Sequence, residues 1–85
     1  MKLDDFISKN EDKTPPMTVR VIGLNGKITT SYHVPEGFQL EKYVGSLYPD
    51  AELMVHCSIK EFVVSVILNG STDIFETYHG VFHWN

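Results

Sequence analysis

The chain is poor in the features that announce most chemistries. It has one cysteine, Cys57, in 85 residues. An internal disulfide is therefore excluded, which fits a reducing compartment. Its six glycines are isolated or sit in turn-like dipeptides, so no glycine-rich loop is present to cradle a phosphate. No apolar run reaches the length of a membrane span, and the N-terminus lacks the apolar core of a signal peptide. No internal repeat or low-complexity tract occurs. Positive charge is scarce: seven Lys and Arg against eleven Asp and Glu give a net charge of −4. That removes the basic footprint of a nucleic-acid binder. The expectations are a cytoplasmic location, no membrane contact and no direct nucleic-acid binding.

What remains is an ordinary globular composition, 42% hydrophobic and 21% charged, in a chain long enough for one small domain, residues 1–85. Residues 35–61 hold five acids against two lysines. This stretch fits a solvated acidic surface, or a surface for a partner with basic charge.

Leu3, Phe6 and Ile7 form a short helical stripe, ended by Pro15-Pro16. Two alternating runs then flank Asn25-Gly26, which reads as a two-residue type I′ hairpin. Pairing Leu24 with Lys27 sets Val21 opposite Thr30, Val19 opposite Tyr32 and Met17 opposite Val34. Met17, Val19, Val21, Ile28, Tyr32 and Val34 then share one face, and Thr18, Arg20, Lys27, Ser31 and His33 the other. Pro35 ends that strand. Leu40, Tyr43, Val44 and Leu47 follow at helical spacing, with Gly45 an awkward interior residue or an early C-cap, and Pro49 a stop.

Three apolar runs close the chain, at 51–59, 62–68 and roughly 72–79. A tight turn at Lys60-Glu61 predicts Ile59 opposite Phe62, Cys57 opposite Val64, Val55 opposite Val66 and Leu53 opposite Leu68. Asn69-Gly70 turns the chain again and leaves Phe75 on the face of Val64 and Val66, and the tail "VFHWN" offers a short last strand. The run "FVVSVIL" is apolar on both faces, as a central strand covered from both sides should be. Met54 joins Val63, Ile67 and Ile74 on the second face, expected under Leu3, Phe6 and Ile7. The fold expected is α+β: an antiparallel sheet of about five strands with two short helices, in the order α-β-β-α-β-β-β.

Catalytic constellations are not apparent. Cys57 falls on the predicted core face and reads as an inert buried thiol. His79 and His83 have the i, i+4 spacing of helical metal ligands, but they flank Gly80 in a strand-rich tail, where that spacing does not bring them together. No nucleophile and general base are paired by the pattern. The chain reads as a binding module, not an enzyme, with no cofactor and no metal expected.

One stretch carries a resemblance. Val34-Pro35-Glu36, then Leu40, Tyr43, Val44 and Gly45, then Pro49-Asp50-Ala51-Glu52-Leu53-Met54-Val55-His56, and then "EFVVSV" are similar to the uracil-DNA glycosylase inhibitors of bacteriophages, the Ugi family. The similarity covers roughly residues 34–66, with small insertions in and after the helix. It implies a DNA mimic that occupies the DNA-binding cleft of a host uracil-DNA glycosylase. An apolar pocket between the second helix and the sheet would swallow the leucine that the enzyme pushes into the duplex. The pocket positions carried over are Leu40, Tyr43, Val44, Val55, Val64 and Val66, with Phe75 a looser candidate. The edge-strand and acidic contacts fall on Thr30, Ser31, Glu36 and Glu41. The family's Glu-Ser pair is represented by Thr30-Ser31 without an acid, its helix is denser in glutamate, and the Asn25-Gly26 hairpin has no match. The partner implied is host uracil-DNA glycosylase, bound by a chain that is a monomer beforehand. Two other readings stand beside it: a phage or mobile-element protein blocking a different nuclease or defence enzyme, and a structural domain that dimerises through its outer apolar face.

Overall fold

A computed structural model describes residues 14–84. They form five strands and one helix: β1 (Met17–Gly23), β2 (Ile28–Val34), α1 (Leu40–Leu47), β3 (Glu52–Cys57), β4 (Glu61–Ile67) and β5 (Glu76–Phe82). All strands pair antiparallel in one sheet of order β2-β1-β5-β4-β3. The expected α+β class and the five-stranded antiparallel sheet are observed. The expected first helix, with Leu3, Phe6 and Ile7, lies outside the described residues.

The first hairpin keeps the predicted pairs Met17↔Val34, Val19↔Tyr32 and Val21↔Thr30. Its turn differs. Gly23 N–H donates to the Lys27 carbonyl, and Gly26 N–H to the Gly23 carbonyl, both at 2.9 Å, which makes a three-residue loop of Leu24, Asn25 and Gly26. Only Gly26 takes positive φ, +80°, whereas a type I′ turn needs it at both central residues. The extra loop residue is compensated by a bulge: Ile22 pairs with Ile28 while Val21 pairs with Thr30, leaving Thr29 between them. Thr29 Oγ1 donates to the Val21 carbonyl at 3.1 Å. Beyond the bulge the expected register is restored. Before it, Ile28 is moved off the core face and is 56% exposed, contrary to the sequence expectation.

The β3–β4 hairpin is slipped by two residues from the prediction. Val55 pairs with Val64, Cys57 with Phe62 and Leu53 with Val66. Ser58 N–H donates to the Glu61 carbonyl at 2.8 Å, so the two loop residues are Ile59 and Lys60. The Ser58 hydroxyl accepts from the amides of Lys60 and Glu61 at 3.3 and 3.2 Å, which fixes the turn one residue earlier than expected. β5 starts at Glu76 and includes the first two residues of the expected last strand, Val81 and Phe82. Val66 pairs with Glu76 and Val64 with Tyr78. Glu76 and Tyr78 therefore take the inward positions expected of Phe75, which lies outside the strand.

α1 covers one face of the sheet, packing on β4 and β5. An isolated helix of eight residues is marginal in water, so tertiary packing holds it. Leu40 and Val44 are wholly buried against Val64, Val66, Val19 and Met17, and each buried aliphatic side chain contributes about 1.5–3 kcal/mol. Gly45 is inside the helix rather than at its cap. The helix closes where the Tyr48 N–H donates to the Val44 carbonyl at 3.0 Å, just before Pro49. Phe38, the largest wholly buried side chain, precedes the helix. Its ring centroid is 5.4 Å from that of Tyr43.

The opposite face carries Thr18, Arg20, Ile22, Met54, His56, Glu61, Val63, Ile67, Thr77, His79 and Val81, as the pairing rows dictate. Met54 is 54% exposed there, where the sequence reading expected it to be covered.

Candidate functional site

The predicted pocket residues divide into two groups. Leu40, Val44, Val64 and Val66 come together as expected, but each is at most 2% exposed. Val44, Val64 and Val66 fill the space between helix and sheet, and of the four only Leu40 reaches a cavity. Tyr43 is half-buried beside them. Val55 and Phe75 do not join them: Val55 is 41% exposed on the edge strand β3, and Phe75 is 38% exposed with its ring centroid 6.1 Å from that of Tyr48. α1 lies over β4 and β5, so the inward side of β3 is left open beyond Leu53. Cys57 is exposed for the same reason, not buried as the alternation implied.

The opening lies at the N-terminal end of α1. A pocket of about 340 Å³ is lined by Thr14, Met17, Phe38, Gln39, Leu40, Glu41, Lys42, Phe62 and Phe82. Of the predicted contact residues only Leu40 and Glu41 belong to it. Its size is within the ~300–1,000 Å³ usual for small-ligand pockets. Apolar walls come from Met17, Phe38, Leu40, Phe62 and Phe82; Glu41 and Lys42 are exposed side chains beside it. Gly80 shapes this end of the core. A Cβ at Gly80 would stand 2.6 Å from Met17 Sδ and 3.4 Å from Leu40 Cδ2, so the missing side chain is what lets these two walls close over β5. Thr14 is fixed by its hydroxyl donating to the Phe38 carbonyl at 2.8 Å and by its carbonyl accepting from Gly37 N–H at 2.8 Å.

The rim continues into an aromatic cluster. The Phe82 and Trp84 ring centroids are 5.7 Å apart, and the Trp84 indole N–H donates to the Ile59 carbonyl. The Phe82 N–H donates to the Lys60 carbonyl at 3.1 Å, which ties the end of β5 to the β3–β4 turn. Met17, Phe62 and Phe82 are pocket residues that sequence reasoning missed. Each reads as one more inward strand position, and nothing local marks it as lying at the open end of the core.

The polar contacts expected from the resemblance are spread out. Thr30 pairs with Val21 and Ser31 with Arg20 on edge strand β2, so the two side chains leave opposite faces of the sheet. Glu36 is exposed in the β2–α1 loop. These residues do not form one contact with Glu41.

Three tyrosines, Tyr32, Tyr48 and Tyr78, gather about Glu76. Tyr48 donates to Glu76 Oε1 at 2.8 Å, and Tyr78 is hydrogen-bonded to Glu76 and Tyr48. Burial first, and then these neighbours, raise the Tyr78 phenol far above its ordinary range; burial followed by the charges of Tyr43 and Glu76 does the same to Tyr32. Both phenols stay protonated at neutral pH, and Tyr78 is held in place by its hydrogen bonds, which is a packing role. The Tyr32 hydroxyl is buried without a hydrogen-bond partner among the described residues.

His79 and His83 take different partners. His79 Nε2 donates to Glu61 Oε2 at 2.7 Å, while His83 Nε2 lies 2.7 Å from Thr18 Oγ1. Among the described residues no helix is long and apolar enough to cross a membrane. No protein-family model, no curated protein and no solved structure matches the chain.

Proposed function

We propose that this chain is a protein inhibitor that seats an apolar side chain of its target enzyme in the pocket at the N-terminal end of α1. The target class is the one the resemblance implies, a host uracil-DNA glycosylase, with the glycosylase's intercalating leucine as the guest. The observation that carries this reading is the 340 Å³ pocket between helix and sheet, walled by Met17, Phe38, Leu40, Phe62 and Phe82. A leucine buried there would gain about 1.5–3 kcal/mol. Glu36 and Glu41 supply the negative charge nearby, and binding leans on the apolar contact, because Thr30 and Ser31 add no acid and face apart. The inhibitor works in the host cytoplasm as a monomer without touching nucleic acid.

The test is uracil excision by the glycosylase with and without this protein, followed by the same titration with Lys42→Trp. Lys42 is an exposed rim residue, so tryptophan there should obstruct the pocket with little effect on folding. Inhibition by wild type and its loss in Lys42→Trp are expected. Normal inhibition by the variant would refute the pocket mechanism. No inhibition by wild type would remove the glycosylase and leave the reading of a block on another nuclease or defence enzyme. A structural dimerisation domain is favoured by a different observation, the exposure of Met54 and Ile28 at 54% and 56%, and a dimer in solution would support it.

A further inference from the structure

Three strands bring two histidines to one point. Thr18 is on β1, His33 pairs with it on β2, and His83 follows the end of β5. Thr18 Oγ1 is 3.0 Å from His33 Nδ1 and 2.7 Å from His83 Nε2. The ring centroids are 6.2 Å apart and the planes are inclined by 42°. The His83 backbone is held by its N–H donating to the Pro16 carbonyl at 2.8 Å. A hydroxyl carries one proton, so it can satisfy the lone pair of only one neutral ring; the other ring must turn an N–H toward it.

We infer that His33 and His83 form a two-imidazole site for a late divalent transition-metal ion, Zn²⁺, Ni²⁺ or Cu²⁺. A cation accepts lone pairs from both rings at once. Both histidines are exposed, so no packing opposes the small swing that brings each nitrogen to about 2.0–2.1 Å from zinc. Nitrogen ligands without a carboxylate select these ions over Ca²⁺ and Mg²⁺. Among the described residues no three of His, Cys, Asp and Glu stand together as a ligand group, so water completes the coordination and leaves positions open to a donor from another molecule. A bound ion would link β2 to the segment after β5 across β1. Protons compete for the same lone pairs, so uptake weakens on acidification.

Trp84, the single tryptophan, adjoins His83 and reports on it. Titration with Ni²⁺ should quench its fluorescence saturably at one equivalent, reversed by a chelator. His33→Ala and His83→Ala should each weaken uptake by roughly tenfold or more, whereas His56→Ala and Cys57→Ser should bind as wild type. Zn²⁺ should raise the melting temperature of wild type and of neither pair variant. Absence of saturable quenching in wild type, or wild-type affinity in either pair variant, would overturn the assignment. Circular dichroism spectra identical to wild type would confirm that these surface variants fold.

Discussion

Gly80→Ala puts a single methyl group against side chains that leave it no room. The new Cβ would stand 2.6 Å from Met17 Sδ, well inside van der Waals contact, and 3.4 Å from both Leu40 Cδ2 and the Phe62 carbonyl oxygen. The last two contacts relax with shifts of a few tenths of an ångström. The sulfur must move, and Met17 is 2% exposed, so the nearest free volume is the pocket it lines. Overpacking of this kind costs about 1–3 kcal/mol. Removing a glycine from a strand interior returns about 0.5–1 kcal/mol. The net expectation is a loss of about 1 kcal/mol, or a melting temperature lower by about 4–8 °C in a domain of this size. Thermal melts followed by circular dichroism measure it. The decisive comparison is Gly80→Ala in a Met17→Val background, where no sulfur remains to be struck. There the penalty should vanish or change sign, giving an interaction energy within the usual ~0.5–3 kcal/mol of contacting pairs. An equal penalty in both backgrounds would refute the assignment of the clash to Met17. Under the proposed function the displaced methionine also fills the pocket, so Gly80→Ala should inhibit less well than its stability alone accounts for.

Gly26→Val should cost about 1 kcal/mol or more, because φ of +80° is hostile to a β-branched residue; an unchanged melting temperature would contradict the three-residue turn. Gly45→Ala should raise stability by about 0.5–1 kcal/mol, since among the described residues its methyl meets only Leu53 Cδ1 at an ordinary 3.7 Å and the helix gains propensity; destabilisation in the same melt would mean that the helix needs the gap. Met54→Ala should change stability by less than about 0.5 kcal/mol, as exposed substitutions do, and a loss of several times that would show that the second face is covered. The His79 hydrogen bond holds the Glu61 carboxyl below its ordinary value of 4.5. Its contribution is thus present above pH 4.5 and is lost as pH falls through the lower folded value. The melting-temperature difference between wild type and Glu61→Gln should shrink on acidification below pH 4.5, and a gap that widens there would reverse the sign assigned.

The parts of the fold legible in the sequence are those fixed by a face pattern. Met17, Val19 and Val21 against Tyr32 and Val34 exclude a one-residue slip, which would turn the apolar side chains of one strand to the other face. The slip found between β3 and β4 is two residues, and a pattern of period two is blind to it. The Ser58 hydroxyl chose between the registers. The Thr29 bulge was hidden in a similar way, since it restores the pairing that a shorter turn would have given. At the candidate site, Leu40 and Glu41 were legible through the resemblance. Met17, Phe62 and Phe82 were not, because the pocket is made where the ends of β1, β4, β5 and α1 meet. Val55 and Cys57 were misplaced because alternation identifies the face of a strand and not how far a helix reaches across it. The His33–Thr18–His83 group depends on β1 lying beside β5, a neighbour relation that no local pattern encodes.

That same neighbour relation governs how the chain can acquire its structure. The β1–β2 hairpin and the β3–β4–β5 meander are joined in the sheet only along β1 and β5, strands separated by most of the described sequence. A two-stranded hairpin alone is marginally stable in water, so β1 and β2 gain a lasting partner only once residues 76–82 have been synthesised. Closing this seam requires a loop of more than fifty residues, which places the rate-limiting search late and makes folding slow for so small a protein. A nascent chain halted before Tyr78 would expose Val19 and Val21 along an unpaired edge, a state prone to association with other chains.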